Sequence, residues 1–260
     1  MSELRPRHLA GTDFPQQDAI RAMVRETYGS VRPTDRRVAE RFYDRRELAG
    51  LPDDTVRIAL GVGNPVRHAG LQPGERVLDL GSGGGIDCLL AARQVGPTGD
   101  VIGVDFLPEM IDRATAAAAA VAATNVRFIR GEIEALPLLD DSVDVVVSNG
   151  VPNLSPRKVR VFAEAFRVLR PGGRLAIVDL VLQHDLYKGL RRAGFRDVVI
   201  EPVGEFGIDE CALYPLFNEE LLDLLRSRLP PERHDRIAKS VVVRARKAGP
   251  GESLPGRLRD

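Results

Sequence analysis

From Gly74 onward, short apolar runs alternate with segments of helical period. The runs at 76–80, 101–105, 126–130, 143–148, 174–180, 197–203 and 240–246 are of strand length and rich in β-branched residues. Between them the pattern predicts helices at 87–94, 108–123, 157–169, 185–193 and 218–229. The second of these is alanine-rich, which favours helix intrinsically. The third puts Val159, Phe162, Phe166 and Leu169 on one face. Residues 134–141 read as a turn-rich link, and Pro171-Gly172-Gly173 as a break before the fifth strand. Alternating strands and helices predict an α/β fold with a doubly wound, Rossmann-like parallel sheet of seven strands.

The first seventy residues carry a different pattern. Residues 1–17 are polar and loose in character, with Pro6 and Pro15. Residues 18–28 form a helical stripe of Ile20, Met23, Val24 and Tyr28, with Asp18 available as its cap and Gly29 as its end. Residues 36–48 are charged, with Val38, Phe42 and Tyr43 as the apolar side, and Leu51 to Asp54 reads as a turn or cap. Residues 58–65, IALGVGNP, read as a loop just ahead of the first strand. The expected division is an N-terminal helical cap at 1–72, the sheet domain at 73–248 and a flexible tail at 249–260.

The most informative stretch is RVLDLGSGGGI at 76–86, a strand that runs into glycines and then a helix. Such a turn lets a ligand approach the backbone and meet the N–H groups that open the helix. The dinucleotide pattern GxGxxG is broken at Ile86, which counts against a nicotinamide-dependent oxidoreductase. The pattern acidic-x-Gly-x-Gly-x-Gly is filled by Asp79, Gly81, Gly83 and Gly85, with Ser82 between the first two glycines. It resembles the first motif of the class I S-adenosylmethionine (SAM) methyltransferases; a plain strand-to-helix turn is the other reading.

Ligands of such sheets sit beyond the carboxyl ends of the strands, so those ends should describe the ligand. The second strand ends in Asp105, whose carboxylate suits ribose hydroxyls, followed by Phe106 and Met110, which suit an adenine face. The third runs into Gly131, Glu132 and Ile133, where a carboxylate or backbone group can take the adenine amino group. The fourth ends in Asn149, an expected cofactor contact, and Gly150, where a transferred methyl would emerge. The expected cofactor is SAM, with S-adenosylhomocysteine as product.

The longer segments GVGNP at 61–65, VLDLGSGGG at 77–85, VGPTGDVIGVD at 95–105, VRFIRGEIEALP at 126–137, SVDVVVSNGVPNLSP at 142–156 and EAFRVLRPGGRLAIVD at 164–179 resemble the arsenite methyltransferases. So does Tyr28-Gly29 in the first helix. The resemblance implies the seven-stranded methyltransferase sheet, its last strand antiparallel. It also implies cysteine thiolates for trivalent arsenic, soft ligands for a soft centre. At two of those places this chain has Val62 and Gly150, and the segment that carries a third is missing after Asp179. Neither valine nor glycine offers a donor atom. The reading is therefore a SAM-dependent methyltransferase that keeps the cofactor half and acts on an organic small molecule. Tyr28, Val62, Asn64, Gly150 and Asn153 are the expected acceptor side. Two alternatives stay open: methylation of thiol-conjugated arsenic, and a non-catalytic SAM-binding partner protein.

Methyl transfer from a sulfonium depends mainly on bringing the nucleophile into line, and needs a base only when the acceptor must lose a proton. Candidates for that base are Tyr28, His68 and His184. The 37 basic and 37 acidic residues balance, which gives no pointer to nucleic acid. Two cysteines, Cys88 and Cys211, provide neither a disulfide framework nor zinc spacing, so no metal is expected. No apolar run reaches spanning length and no signal-peptide core is visible, so the expectation is a cytoplasmic protein without a membrane partner. The shortened acceptor side leaves room for a protein partner or a homodimer.

Overall fold

The computed structural model describes residues 15–31, 35–181, 188–214 and 217–252. Helices α1 (Pro15–Gly29), α2 (Arg37–Phe42), α3 (Arg45–Leu48), α4 (Asp53–Arg57) and α5 (Pro65–Ala69) precede the first strand. Then follow β1 (Arg76–Leu80), α6 (Ile86–Val95), β2 (Asp100–Asp105), α7 (Pro108–Ala120), β3 (Val126–Arg130) and β4 (Val143–Asn149). The chain continues through α8 (Lys158–Val168), β5 (Leu169–Val181), α9 (Lys188–Ala193), β6 (Arg196–Phe206), α10 (Ile208–Cys211), α11 (Glu219–Arg228) and β7 (Ala238–Arg246).

The strands form one sheet in the order β3-β2-β1-β4-β5-β7-β6. Strands β1 to β5 pair in parallel, and β7 inserts antiparallel between β5 and β6. This is the seven-stranded, Rossmann-like arrangement expected from the sequence, with helices in front of it. The chain moves outward from β1 to β3 and returns to β4 beside β1. That reversal opens a crevice at the carboxyl ends of β1 and β4.

Alternate residues of each strand feed opposite faces of the sheet. Val77, Val101, Val145 and Val147 pack on one face with Cys88, Leu89, Ala92 and Val95 of α6. Leu78, Leu80, Ile102, Val146 and Ile177 pack on the other with Val161, Phe162, Ala165 and Val168 of α8. Tyr43, Leu48, Val56, Ala59 and Val66 belong to the first of these cores, so the N-terminal helices share the sheet's own apolar interior. Among the described residues no helix is long and apolar enough to cross a membrane.

Several local expectations need correction. The buried face of α8 is Val161, Phe162, Ala165 and Val168, whereas Val159 is 61% exposed. Burial here follows the offset of the helix against β4 and β5, which periodicity alone does not fix. In α1, Met23 is 52% exposed while Val24 is buried. That helix begins at Pro15, so Asp18 lies inside it and does not cap it. The stretch 36–48 is two helices. Tyr43 turns inward at the junction, and Asp44 starts α3 with a capping box to Glu47. The expected 58–65 loop gives its last residue to helix α5; Asn64 caps that helix by accepting from the Arg67 N–H at 3.1 Å, and Pro65 occupies its first turn. Pro171-Gly172-Gly173 lies within β5 as a bulge, where the pairing shifts between Val143 and Val145 and Gly172 takes φ +83°. Helix α9 starts at Lys188, and residues 185–187 of the expected helix lie outside the described residues.

The two faces of α8 separate in a stability measurement. Phe162→Ala empties a fully buried site and is expected to cost about 3–5 kcal/mol in urea unfolding. Val159→Ala is expected to stay within about 0.5 kcal/mol.

Candidate active site

The crevice at the sheet's switch point holds a cavity of about 180 Å³. Its floor is the turn after β1, contributed by Gly81, Ser82, Gly83 and Gly84. Gly81 and Gly83 have φ of +74° and +50°, a conformation open to glycine and strained for other residues. A side chain at Gly83 would meet nothing within 4 Å, so the backbone there faces open space. At Gly85 a Cβ would press within 3.1 Å of Phe128 and Ala114; that glycine serves helix packing and does not line the cavity.

Asp105 closes one side. Its carboxylate accepts from the Gly83 N–H and the Leu107 N–H, both at 2.9 Å. Burial pushes its pKa up, against the pull of those N–H groups. Phe106, Leu107 and Met110 give an apolar wall beside it, and Gly131, Glu132 and Ile133 complete the rim. Asp79 does not line the cavity. It lies behind the turn, 2% exposed, and accepts a bond from the Cys88 thiol at 3.3 Å. Burial, then the neighbouring Asp87 carboxylate, pushes Asp79 well above the usual carboxylate range.

Helix α1 covers the mouth. Arg21 reaches Glu132 at 3.2 Å and Glu134 at 3.7 Å, and Arg25 lies 5.7 Å over the Phe106 ring. Tyr28 lines the cavity from the same helix. Burial, with a smaller effect from Asp179, raises its pKa to about 12, so at neutral pH it is a hydroxyl donor and not a base. Glu134 is itself buried and accepts from the Ser155 hydroxyl at 2.6 Å.

Of the residues expected on the acceptor side, Tyr28 and Gly150 line the cavity. Val62 is buried just behind Gly150, where an added Cβ would stand 3.5 Å from a Val62 methyl. Asn64 is a helix cap that also donates to Glu47 at 2.9 Å. Asn153 is tied to β5: its backbone N–H donates to Asp179 at 3.0 Å and its amide donates to the Leu180 carbonyl. His68 sits away from the cavity, near Arg67, Arg244 and Glu201; burial and then those arginines lower its pKa. His184 lies outside the described residues.

Asn149 lines the cavity, but its amide is engaged with protein. Its oxygen accepts from the Val62 N–H at 2.8 Å, and its nitrogen lies 2.8 Å from the Gly63 carbonyl, 3.0 Å from Asp87 and 2.9 Å from the Tyr43 hydroxyl. Arg21, Asp87, Glu134, Ser155 and the 58–61 segment were missed by sequence reading, although all line the cavity. Asp87 stands two positions after Gly85, in the first turn of α6, and that position is the available signal.

The chemistry of this donor set fits an adenosyl sulfonium. Ser82 Oγ is buried, has no hydrogen-bond partner among the described residues, and belongs to a residue of the cavity wall. Carboxylates surround the turn on two sides, and an apolar wall stands beside Asp105.

Residues 71–212 match the family described as a methyltransferase domain, more than half of the chain. The chain belongs to the class I SAM-dependent methyltransferase family. An arsenite methyltransferase of Halobacterium salinarum is 55% identical over 139 residues, which cover 54% of this chain and 35% of that protein. A demethylmenaquinone methyltransferase of Lactococcus lactis is 37% identical over 115 residues, covering 44% of this chain and 45% of that one. A solved arsenic(III) S-adenosylmethionine methyltransferase from Chlamydomonas reinhardtii is 31% identical, with a TM-score of 0.61. That likeness covers 81% of this chain and 75% of the other. The chain thus spans about a third of the length of the curated arsenite methyltransferases it matches.

The buried carboxyl of Asp79 carries a stability consequence. Its raised pKa means that the folded protein keeps this proton to higher pH than the unfolded chain does. Stability is therefore lost as pH rises from the ordinary carboxylate range towards the raised value. Asp79→Asn is expected to stabilise the ligand-free protein by about 1–3 kcal/mol at pH 8, and by less at pH 5. Thermal unfolding at both pH values measures the difference.

Proposed function

We propose that the protein is a SAM-dependent methyltransferase whose acceptor is an organic small molecule and not arsenite. The observation that carries the second half is the chemistry of two adjoining positions, Val62 and Gly150: a Cβ built on Gly150 would stand 3.5 Å from a Val62 methyl. These are the two described positions where the resemblance implies arsenic-binding thiolates, and neither carries a donor atom. The remaining thiols support the same reading. Cys88 and Cys211 are buried in different cores, neither lines the cavity, and burial raises the pKa of each. A thiol held protonated is a poor ligand for a soft centre.

In this reading Gly81, Ser82 and Gly83 hold the donor through backbone and hydroxyl groups. Asp105 accepts from ribose hydroxyls, Phe106 and Met110 pack on adenine, and Gly131, Glu132 and Ile133 meet its polar edge. When bound, SAM supplies an electrophilic methyl group on a sulfonium. The protein's share is to exclude water under α1 and to align an acceptor between Tyr28 and the Gly150 loop. Tyr28, kept protonated, serves to orient an acceptor oxygen or nitrogen. A second reading, arsenic delivered as a thiol conjugate, is supported by the 55% identity to an arsenite methyltransferase.

Incubation with SAM, arsenite and glutathione, and in parallel with a panel of phenols, quinols and amines, separates these readings by product mass. The expected result is methylation of an organic acceptor and no methylated arsenic. Methylated arsenic would overturn the acceptor assignment. Donor binding without transfer to any acceptor would favour a non-catalytic partner protein.

A further inference from the structure

Asp87 is the carboxylate whose position no motif explains. It is 3% exposed and lines the cavity from the first turn of α6. Tyr43 donates its hydroxyl to one carboxylate oxygen at 2.8 Å, and the Asn149 amide donates to the other at 3.0 Å. Asn149 in turn donates to the Gly63 carbonyl and accepts from the Val62 N–H. One connected network therefore joins the N-terminal helices, the 61–64 loop, β4 and the cavity wall.

Both groups bonded to Asp87 are donors, which is the arrangement suited to an ionised carboxylate. Among the described residues, the titratable groups around it are Tyr43 and Glu47 from the N-terminal helices, Asp79 from β1 and Cys88 from its own helix. None of these is a cation. A buried carboxylate without a positive partner is costly to ionise, and the cost falls when a cation enters beside it.

We infer that Asp87 is the carboxylate that meets the positive charge of the methyl donor. Tyr43 and Asn149 are the positioning residues that hold it and tie the 61–64 loop to it. The inference rests on the methyltransferase reading above and adds a residue to it. It links the acceptor-side loop to an occupied donor site, because the amide that holds the loop also holds the carboxylate that the donor needs.

The chemistry gives a pH signature. In the free protein burial raises Asp87 to about 6, against the pull of Asn149 and Tyr43. A cation binds the ionised form, so affinity falls as pH drops through that value. Removing the Tyr43 hydroxyl removes one donor to the charged form and raises the pKa further.

The test is calorimetric titration of the full chain with SAM from pH 5 to 8, on wild type, Tyr43→Phe and Asp87→Asn. Wild type is expected to lose about tenfold in affinity per pH unit below the step. In Tyr43→Phe the step is expected to move up by about one pH unit, with affinities converging within threefold of wild type at pH 8. Asp87→Asn is expected to bind more weakly at pH 8 and to lose the step. A Tyr43→Phe profile that is lowered in parallel, or unchanged, would overturn the inference. So would a step that survives in Asp87→Asn, which would assign it to Asp79 or Asp105. Absence of SAM binding to wild type at every pH would instead remove the methyltransferase reading itself.

Discussion

The N–H of Gly83 donates to the carboxylate of Asp105 at 2.9 Å, and the shape of the cavity follows from that bond. It joins the turn after β1 to the end of β2, the neighbour of β1 on the side away from β4. The turn reaches Asp105 because Gly81 and Gly83 adopt positive φ, which any side chain would strain. Once the turn is held, α6 starts with its N–H groups towards the crevice. A hydrogen bond to a buried acceptor contributes about 0.5–1.5 kcal/mol, which helps to fix a turn whose only side chain is that of Ser82.

The N-terminal segment completes the site from the other direction. Helix α1 is held over the cavity by Arg21 on Glu132 and Arg25 on Phe106, both partly exposed contacts. Exposed ion pairs contribute little, so the buried Val24 and the packing of Tyr28 against Ile58, Leu107 and Met110 carry most of that hold. The 61–64 loop is held differently, by a buried network through Asn149, Tyr43 and Asp87, reinforced where the Tyr214 hydroxyl donates to the Gly61 carbonyl at 2.9 Å. A floor of glycines, a fixed inner loop and a helical cover suit a site that must hold a donor and an acceptor and exclude water.

The sequence made the sheet and its glycine turn legible because both impose strong local demands. Fully buried parallel strands need unbroken apolar runs, and a turn with positive φ needs glycine. Gly81, Ser82, Gly83, Asp105, Phe106, Met110 and the 131–133 segment accordingly meet at one cavity. Asn149 was read as a cofactor contact because it follows β4; only the return of a loop 86 residues earlier in the chain shows what its amide does. Val159 was assigned to a buried face that belongs to Val161 and Ala165, since helical period sets spacing and tertiary contact sets phase. Asn64 and Asn153 lie in the expected loops, but bond to α5 and β5 and not into the cavity. Asp87 has no motif of its own, and its partners come from positions 43 and 149.

The central claim is that the glycine turn and Asp105 enclose the adenosyl part of a methyl donor. A crystal structure of the protein grown with S-adenosylhomocysteine tests it most directly. The expected result is a ligand over Gly81 to Gly83, with its ribose hydroxyls within hydrogen-bond distance of the Asp105 carboxylate. A ligand seated in another crevice, or a ribose out of reach of Asp105, would contradict it.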